Sequence, residues 1–490
     1  GSDDMFSSDL SFGTQVINER VDAITASGTG LTTNAARTVS SAAQISATQG
    51  FEQTRSVGFL AQEQIGFRDR FFVQVGGRVD LNSSFGEEAE AFFLPKIGAS
   101  WVVSEEPFFQ GLTGFIPTLR LRAAYGTTGR SPVAGASLET YDPNPFALIS
   151  GSGSGVTARN PGNLDLRPEK GSEFETGLEA GFFEDRLGVE LTYFDRTTTD
   201  LLVRRPLAPS AGFTEDPFVN LGKSVNRGLE YSVRANVLNR ENFQWDLRLA
   251  GSTLHNELIS LGEIDGTPIL PFGTLNRFTP GRQLGSFFTR RIQSVDVANN
   301  RAIVSDTIEF KGNLFPTVEG NAGSTLTLFR NLQVTGQVDW KRGFYIYNNS
   351  AQFRERSLNN AERGVYRADE TVVPAQDRIR RFGPFFDTKG VAVSATQVNE
   401  EYIEKGDFVR FRELSATFSL PDGVASRFGA EGASITLGGQ NLKLWTDYTG
   451  FDPEVLAQSV TGVGRAQFQR EEFFTIPTPR RFVAKVNLQF

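Results

Sequence analysis

The chain has 490 residues and a formal net charge of −8, with no cysteine, one histidine, one methionine, 50 glycines and 43 phenylalanines. The absence of cysteine excludes disulfides, thiolate nucleophiles and cysteine-based metal or redox sites. The mild acidity argues against nucleic acid as a partner, so we expect no nucleic-acid binding.

The single histidine, His255, limits the possible chemistry further. A zinc or iron site would have to consist almost entirely of carboxylates, which is uncommon for those metals. A Ser-His-Asp triad would have to include His255, and the surrounding residues Thr253, Leu254 and Asn256 do not resemble a nucleophile elbow. We therefore expect neither an enzyme nor a bound cofactor or metal.

The sequence contains no run of about 18 apolar residues, the length that a transmembrane helix requires. Its first residues, Gly-Ser-Asp-Asp-Met, lack the basic and apolar regions of a signal peptide. We expect that a signal peptide has been removed or that the chain is not the whole gene product.

Alternation of apolar and polar residues is the dominant local pattern, and it predicts β-strands rather than helices. Each alternating segment is about ten residues long, and its second face is polar and often charged. About fourteen strands are predicted, at residues 6–20, 56–67, 71–81, 92–103, 118–128, 173–183, 187–199, 224–238, 243–254, 320–329, 331–341, 406–420, 433–442 and 480–490.

The connections between these strands fall into two classes that alternate along the chain. Short polar connections at residues 68–70, 184–186, 239–242 and 330–331 read as tight hairpin turns. Long connections rich in Gly, Pro and Asn cover residues 129–172, 203–222, 255–318, 342–405 and 443–479. Short periplasmic turns and long extracellular loops are typical of an outer-membrane β-barrel.

We therefore predict an all-β fold, an antiparallel transmembrane β-barrel in which one strand face meets lipid and the other meets a wet lumen. Aromatic pairs near predicted strand ends suit the girdles of such a barrel. These pairs are Phe71-Phe72, Phe92-Phe93, Phe182-Phe183 and Phe287-Phe288. The alternative is cross-strand packing in the core of a soluble all-β protein.

Five segments of the sequence carry a family resemblance. Residues 163–179, NLDLRPEKGSEFETGLE, resemble the N-x-x-L-x-P-E-K…E-x-G-x-E stretch of TonB-dependent outer-membrane receptors. Four later segments are similar to motifs of the SusC/RagA branch of that family, namely 220–230 (NLGKSVNRGLE), 280–288 (PGRQLGSFF), 403–414 (IEKGDFVRFREL) and 441–455 (NL…YTGFDPEV).

The resemblance implies TonB-linked import of nutrients, either glycan or peptide oligomers, across the outer membrane of a Gram-negative-type bacterium. It also implies a barrel of about 22 strands, of which residues 1–490 would form the C-terminal part. The plug domain, the TonB box and the signal peptide would then lie outside this chain. The implied partners are outer-membrane lipid, a SusD-like lipoprotein, and the TonB-ExbB-ExbD complex acting through the missing plug.

The ligand would be an oligosaccharide or a peptide. Aromatic faces combined with amides suit both ligands, and one loop segment provides them. The candidate contact residues for ligand or partner are Trp340, Phe344, Tyr345, Tyr347, Asn348 and Asn349. The alternative for this segment is an aromatic girdle combined with loop packing.

Several carboxylates are candidate sites. Asp452 and Glu454 flank Pro453, but nothing in the sequence supplies the raised pKa or facing partner of a general acid. The acidic pairs Asp369-Glu370 and Glu400-Glu401 lack the regular ligand spacing of a calcium loop, which favours solvated loop charge.

The terminal Phe490 on an alternating last strand resembles the signal by which outer-membrane barrels are recognised for insertion. Two other functions stay open from the sequence. One is a porin-like passive channel, and the other is a soluble secreted glycan-binding β-protein.

Overall fold

The structure is a computed structural model that describes residues 5–33, 35–86, 91–148, 151–205, 207–262, 270–272, 275–357, 374–456 and 470–490. Within these residues the strands, in chain order, are β1 (Phe6–Leu31), β2 (Ala42–Phe67), β3 (Phe71–Asn82), β4 (Phe92–Val102), β5 (Thr118–Arg130), β6 (Thr140–Leu148), β7 (Gly151–Asn160), β8 (Glu169–Phe182), β9 (Leu187–Thr199), β10 (Leu202–Arg204), β11 (Phe218–Asn220), β12 (Lys223–Arg240), β13 (Phe243–Thr253), β14 (His255–Ser260), β15 (Leu270–Phe272), β16 (Asn276–Phe278), β17 (Ser286–Thr289), β18 (Ile292–Asp296), β19 (Arg301–Val304), β20 (Glu309–Gly312), β21 (Val318–Leu328), β22 (Leu332–Arg342), β23 (Tyr345–Asn348), β24 (Phe385–Phe386), β25 (Ala392–Val393), β26 (Ile403–Lys405), β27 (Phe408–Ser419), β28 (Gly432–Thr446), β29 (Glu471–Glu472) and β30 (Arg481–Gln489).

Helices are few and short in the described residues. The α-helices are Asn349–Gln352, Ala375–Phe382 and Asp422–Ala425, and a π-helical turn covers Phe353–Ser357. Single 3-10 turns or short 3-10 helices lie at Val39–Ser41, Val103–Glu105, Pro107–Leu112, Pro209–Ala211, Ala395–Gln397, Glu400–Tyr402 and Ser426–Phe428. None of the described helices has the length and apolar character needed to cross a membrane.

One large sheet, which we call the main sheet, contains most of the long strands. Its order is β1-β2-β3-β4-β5-β8-β9-β12-β13-β21-β22-β27-β28-β30, and β14 pairs with β12 beside this path. These are the fourteen strands that alternation in the sequence predicted, at nearly the predicted positions. The first two differ, because β1 continues to Leu31 and β2 begins at Ala42, in antiparallel pairing without a register shift.

The chain divides into two compact units, of which the first comprises Gly1–Ala99, Ala124–Glu173 and Thr197–Lys223. Its sheet has two chemically different faces. Directly paired residues share a face, as Phe12 opposite Ala61 and Leu60 opposite Arg78 illustrate. One face carries Leu10, Phe12, Val16, Val57, Phe59, Val75 and Val79, and the other carries Gln62, Gln64, Gln74, Arg78 and Asp80. This is the alternation expected of a sheet with one apolar and one polar environment.

The second unit comprises Ser100–Ala123, Phe174–Arg196 and Ser224–Phe490. Here short and long connections alternate as predicted. Residues 183–186, 241–242 and 329–331 form tight turns, and Phe183, Glu184, Asp185, Phe329 and Arg330 adopt positive φ in them. The connection at residues 420–431 is longer, because it contains the helix Asp422–Ala425 and the turn Ser426–Phe428.

The long connections of the second unit fold into small sheets of their own. Their strand orders are β15-β16-β17-β20, β18-β19-β24-β25 and β26-β23-β29. Each packs a small apolar core, such as the one formed by Ala302, Val304, Ile379, Phe385 and Val398. Sequence analysis predicted these segments only as loops, because strands of two to five residues carry too little alternation to be recognised.

The aromatic pairs behave differently from one another. At the turn between β2 and β3, the Phe6 and Phe67 rings lie 5.1 Å apart and the side chain of Phe71 is exposed. At the turn between β8 and β9, Phe115 packs 5.9 Å from Phe182 and 4.8 Å from Phe183. Both sets suit an interfacial girdle. The girdle assignment of Phe287 and Phe288 was wrong, because both lie buried in β17 of the small sheet β15-β16-β17-β20.

Candidate functional site

The segment predicted to contact a ligand lies mostly in the three-stranded sheet β26-β23-β29, which we call the loop sheet. β23 pairs antiparallel with β26 through Tyr347 and Ile403, and parallel with β29 through Tyr347 and Glu471. Trp340 lies apart from it in β22, where its ring covers Gly320 of β21. A side chain at Gly320 would place a Cβ only 2.5 Å from that ring. Trp340 therefore packs against the main sheet.

Phe344 is completely buried, together with Ile346, Phe408 and Tyr448. The backbone of Gly406 passes so close that a Cβ there would lie 2.3 Å from the Phe344 ring. Tyr345 and Tyr347 are half-buried against a second apolar core of Leu275, Phe287, Leu314 and Ile403. Burial, followed by the charge of Glu471, raises the pKa of Tyr347. These aromatic residues hold the loop sheet against its neighbours.

Asn348 and Asn349 are engaged in hydrogen bonds within the protein. Asn348 Nδ2 donates to Glu404 Oε1 at 3.0 Å, and Asn348 Oδ1 caps the helix Asn349–Gln352 by accepting from Ala351 N at 3.0 Å. Asn349 donates to Glu471, and Tyr347 donates to Asn349 Oδ1 at 3.2 Å. In this structure Phe344 and Asn348 are buried and serve packing and helix capping, whereas Tyr347 and Asn349 retain partial exposure. Contact of these residues with a ligand or partner stays a prediction.

Glu472 of β29 is a fully buried carboxylate that the sequence analysis missed. Its Oε2 accepts a hydrogen bond from Tyr448 Oη at 2.8 Å and another from the backbone N of Phe451 at 3.0 Å. Burial, and then the charge of Glu472, raises the pKa of Tyr448, so that this phenol remains a donor. The contact ties residues 448–451 to β29. A Cβ at Gly450 would lie 2.1 Å from Glu472 Oε2 and 2.5 Å from the Tyr448 ring, so a side chain there would displace this contact.

A network of two arginines and three carboxylates fixes residues 452–454 to the main sheet. Arg410 of β27 pairs with Asp452, and both side chains are only 3% exposed. Arg410 Nε also lies 3.3 Å from Glu454 Oε2, without the angle of a hydrogen bond. Arg412 donates to Asp339 at 2.6 Å and to both oxygens of Glu454 at 2.9 and 3.0 Å. Asp452 and Glu454 therefore act as anchors paired with arginines.

The second acidic pair is also structural. Glu400 lies beside Arg291, accepts from Ile292 N at 2.6 Å, and is 3.5 Å from Lys311 Nζ. Burial alone would raise the pKa of Glu400, but these hydrogen bonds and charges outweigh it and lower the pKa. Glu401 accepts from Arg380 Nε at 2.8 Å. The interpretation as solvated charge was therefore wrong for Glu400, whose side chain is 10% exposed.

Asp369 and Glu370 lie outside the described residues. Among the residues that the structure does describe, no three His, Cys, Asp or Glu side chains group as a metal site would require.

Exposed aromatic rings lie beside the loop sheet, and the sequence analysis missed them. Phe353 packs edge-on against Phe473 and Phe474, with centroids 5.6 Å apart in both pairs. Phe474 is 58% exposed and has a φ of +49°, a conformation that bulky residues rarely adopt. Its backbone N is held by Ser350 Oγ at 2.7 Å. We call Phe353, Phe473 and Phe474 the aromatic cluster.

Replacing Asp452 tests the buried network. In the Asp452→Asn variant, the Arg410 guanidinium loses its buried charge partner, and we expect a loss of about 3–5 kcal/mol in the local stability of residues 448–456. Hydrogen exchange of this segment measures the effect. The matched Glu454→Gln variant removes a more exposed carboxylate, so its cost should be about 1 kcal/mol. Equal exchange in both variants would contradict the central role of the Arg410–Asp452 pair.

Comparison with known proteins identifies the family. The family model described as TonB dependent receptor-like, beta-barrel matches residues 2–442. TonB-dependent receptor P26 of Formosa agariphila is 25% identical over 478 residues, which cover 90% of this chain and 47% of that protein. TonB-dependent receptor SusC of Bacteroides thetaiotaomicron is 26% identical over 213 residues, covering 42% of this chain and 21% of that protein.

A solved structure of the RagAB peptide transporter matches with a TM-score of 0.80 at 21% identity, covering all of this chain and 54% of the other. The chain spans about half the length of the curated relatives that match it along most of its length. The predicted antiparallel β-barrel fold and the resemblance to SusC and RagA are confirmed. The chain belongs to the TonB-dependent receptor β-barrel family.

Proposed function

We propose that this chain forms part of the wall of an outer-membrane transporter that imports nutrient oligomers, either glycans or peptides. Its main sheet would surround a polar lumen and present its apolar face to lipid. Family members are transport proteins, and the two-faced sheet is the observation that carries the proposal.

The dimensions of the apolar face support a membrane location. On β1 this face runs from Phe6 to Val16, a length of about 33 Å at about 3.3 Å per residue. At a strand tilt of about 40°, this length corresponds to a height of about 25 Å, which matches the apolar band of membrane barrels. Beyond Val16 the same face becomes polar at Asn18 and Arg20.

The rest of the transporter would lie outside residues 1–490. We propose that the chain is the C-terminal part of a barrel of about 22 strands, and that the plug, TonB box and signal peptide belong to other parts of the protein. The free edges of β1 and β30 support this, since each strand has one neighbour among the described strands. In lipid, an unpaired edge is costly because its backbone groups lack partners. The proposed partners are a SusD-like lipoprotein and the TonB-ExbB-ExbD complex.

Growth of the native bacterium tests the transport function. Deleting the gene should abolish growth on one class of oligomer, glycan or peptide, as sole carbon source, and the intact gene should restore it. A strain lacking TonB should fail in the same way. Growth that persists without TonB would support a passive porin instead. Identical gel migration before and after heating, with a monodisperse detergent-free protein, would identify a soluble binder.

We further propose that the aromatic cluster, with the half-buried Tyr347 and Asn349, contacts the ligand. Exposed rings next to amide and carboxylate groups suit a saccharide or a peptide. The double variant Phe473→Ala, Phe474→Ala should raise the oligomer concentration needed for half-maximal growth by about 10-fold or more, corresponding to about 1.4 kcal/mol. Phe329→Ala removes another exposed ring, at the turn after β21, and serves as the control. Equal behaviour of the two variants would exclude the cluster.

We also propose that Phe490 is a barrel-insertion signal, on the basis that it is a terminal aromatic that follows the alternating β30. The Phe490→Ser variant should be depleted from the outer-membrane fraction and lose heat-modifiable migration. Phe482→Ser, which alters a comparably exposed ring of the same strand, should insert normally. Normal insertion of the Phe490→Ser variant would refute the assignment.

A further inference from the structure

A buried carboxylate lies two residues after Phe353 of the aromatic cluster. It belongs to Glu355 in the π-helical turn Phe353–Ser357, and Glu355 is only 2% exposed, whereas Phe353 is 38% exposed. The turn follows the helix Asn349–Gln352 without an interruption. One short stretch, residues 349–357, thus carries both an exposed ring and a buried charge. We call this stretch the helical segment.

Both oxygens of the Glu355 carboxylate are engaged. Arg381 Nη1 donates to Oε2 at 3.1 Å and to Oε1 at 3.3 Å, and Tyr402 Oη donates to Oε2 at 2.9 Å. Tyr402 is completely buried, and this burial, followed by the charge of Glu355, raises the pKa of the phenol, so that it remains a donor. Because Arg381 lies near the end of the helix Ala375–Phe382, Glu355 ties the helical segment to two distant parts of the chain.

Arg356 provides a second anchor beside Glu355. Its guanidinium donates four hydrogen bonds of 2.7–3.1 Å to acceptors outside the helical segment. The acceptors are the backbone oxygens of Arg381, Ala395 and Val398 and the Oδ1 atom of Asn399. A guanidinium presents its donors in a rigid planar fork, so this set of acceptors fixes its position closely. The two anchors together hold the part of the helical segment that begins at Phe353.

Asn399 connects the second anchor to a predicted contact residue. It is 2% exposed, and its Oδ1 accepts from Gln352 Nε2 as well as from Arg356 Nη1. Gln352 Oε1 in turn accepts from the hydroxyl of Tyr347. Hydrogen bonds therefore run from Arg356 through Asn399 and Gln352 to Tyr347. The half-buried phenol and the exposed Phe353 ring are linked to the same anchors.

These anchors bear on ligand binding through the order that they impose on the contact residues. Glu355 itself has almost no exposed surface. Binding that must first order loose side chains loses part of its free energy to that ordering, whereas side chains that are already held in place avoid the cost. Loss of the anchors should therefore weaken binding while the barrel stays intact.

We propose that Glu355 is a positioning residue, which together with Arg356 fixes Phe353 and Tyr347 in the orientation that ligand binding requires. This inference rests on the proposed function, in which the aromatic cluster and Tyr347 contact the oligomer. Glu355 does not contact the oligomer. It sets the affinity of the receptor, whereas the maximal rate of import depends on the rest of the transporter.

Glu355→Gln in the full-length receptor tests the positioning role, since it keeps the size of the side chain and removes its charge. Growth of the native bacterium is measured against the concentration of the peptide digest or glycan digest that the deletion strain cannot use. We expect the half-saturating concentration to rise at least 5-fold and the maximal growth rate to stay within 1.5-fold. Glu401→Gln is the matched control, because Glu401 pairs with Arg380 of the same helix at 2.8 Å. It should change the half-saturating concentration less than 2-fold.

Substitution of the partner provides a second readout. Arg381→Gln alone leaves the buried carboxylate without this guanidinium and should raise the half-saturating concentration at least 5-fold. Combined with Glu355→Gln, it removes both charges, so the value should return to within 2-fold of the native receptor. Hydrogen exchange of residues 349–357 should be faster in both single variants and recover in the double variant. Heat-modifiable migration confirms the barrel in each case.

The outcomes separate this inference from the proposed function. An unchanged half-saturating concentration in Glu355→Gln, or an equal rise in Glu401→Gln, would overturn the positioning role. A lower maximal growth rate at an unchanged half-saturating concentration would overturn it too, and would assign Glu355 to receptor assembly. If Phe473→Ala with Phe474→Ala raises the half-saturating concentration and Glu355→Gln does not, only the positioning role fails. If neither raises it, the contact role of the aromatic cluster fails as well.

Arg356→Lys carries the test if Glu355→Gln does not reach the outer membrane. An ammonium group has three donors and cannot satisfy the four acceptors of Arg356. The half-saturating concentration should therefore rise at least 3-fold at an unchanged maximal growth rate. A value equal to that of the native receptor would overturn the proposal.

Discussion

Pairing of the backbone between neighbouring strands is the constraint on which this structure depends. Each N–H and C=O of a strand in lipid must find a partner on an adjacent strand, because hydrocarbon offers none. The main sheet meets this demand by adding strands in nearly strict sequence order, and its long insertions occur only between strands. Side chains are then free to alternate between two environments, which is why the sequence contains no run of about 18 apolar residues.

The long insertions between strands have only small apolar cores. Buried polar and charged side chains hold them in place instead. Arg410 and Asp452 exchange water for each other, and Oε2 of Glu472 accepts hydrogen bonds from a phenol and a backbone N–H. Such pairs contribute little net stability but penalise any other arrangement, because a lone buried charge is costly. They therefore specify where residues 448–456 lie relative to β27 and β29.

The sequence predicted the strands well because alternation is a local property. It predicted the loop sheet poorly because the contacts that define it join distant residues. Ser350 meets Phe474 across 124 positions, and Asn349 meets Glu471 across 122. Phe287 and Phe344 looked like exposed aromatics for the same reason, since only the folded segments reveal their burial. The outer ends of β1 and β2 were missed because Ser, Thr, Gly and Ala dilute the apolar signal there.

The spacing of the insertions has a consequence for the order of folding. β21 and β22 meet across a turn at residues 329–331, whereas β13 and β21 meet only after about sixty intervening residues have been looped out. Chain entropy makes the second closure costlier by about 3 kcal/mol. Hairpins joined by tight turns should thus be the kinetic units of assembly, with the large insertions settling onto strands that are already paired.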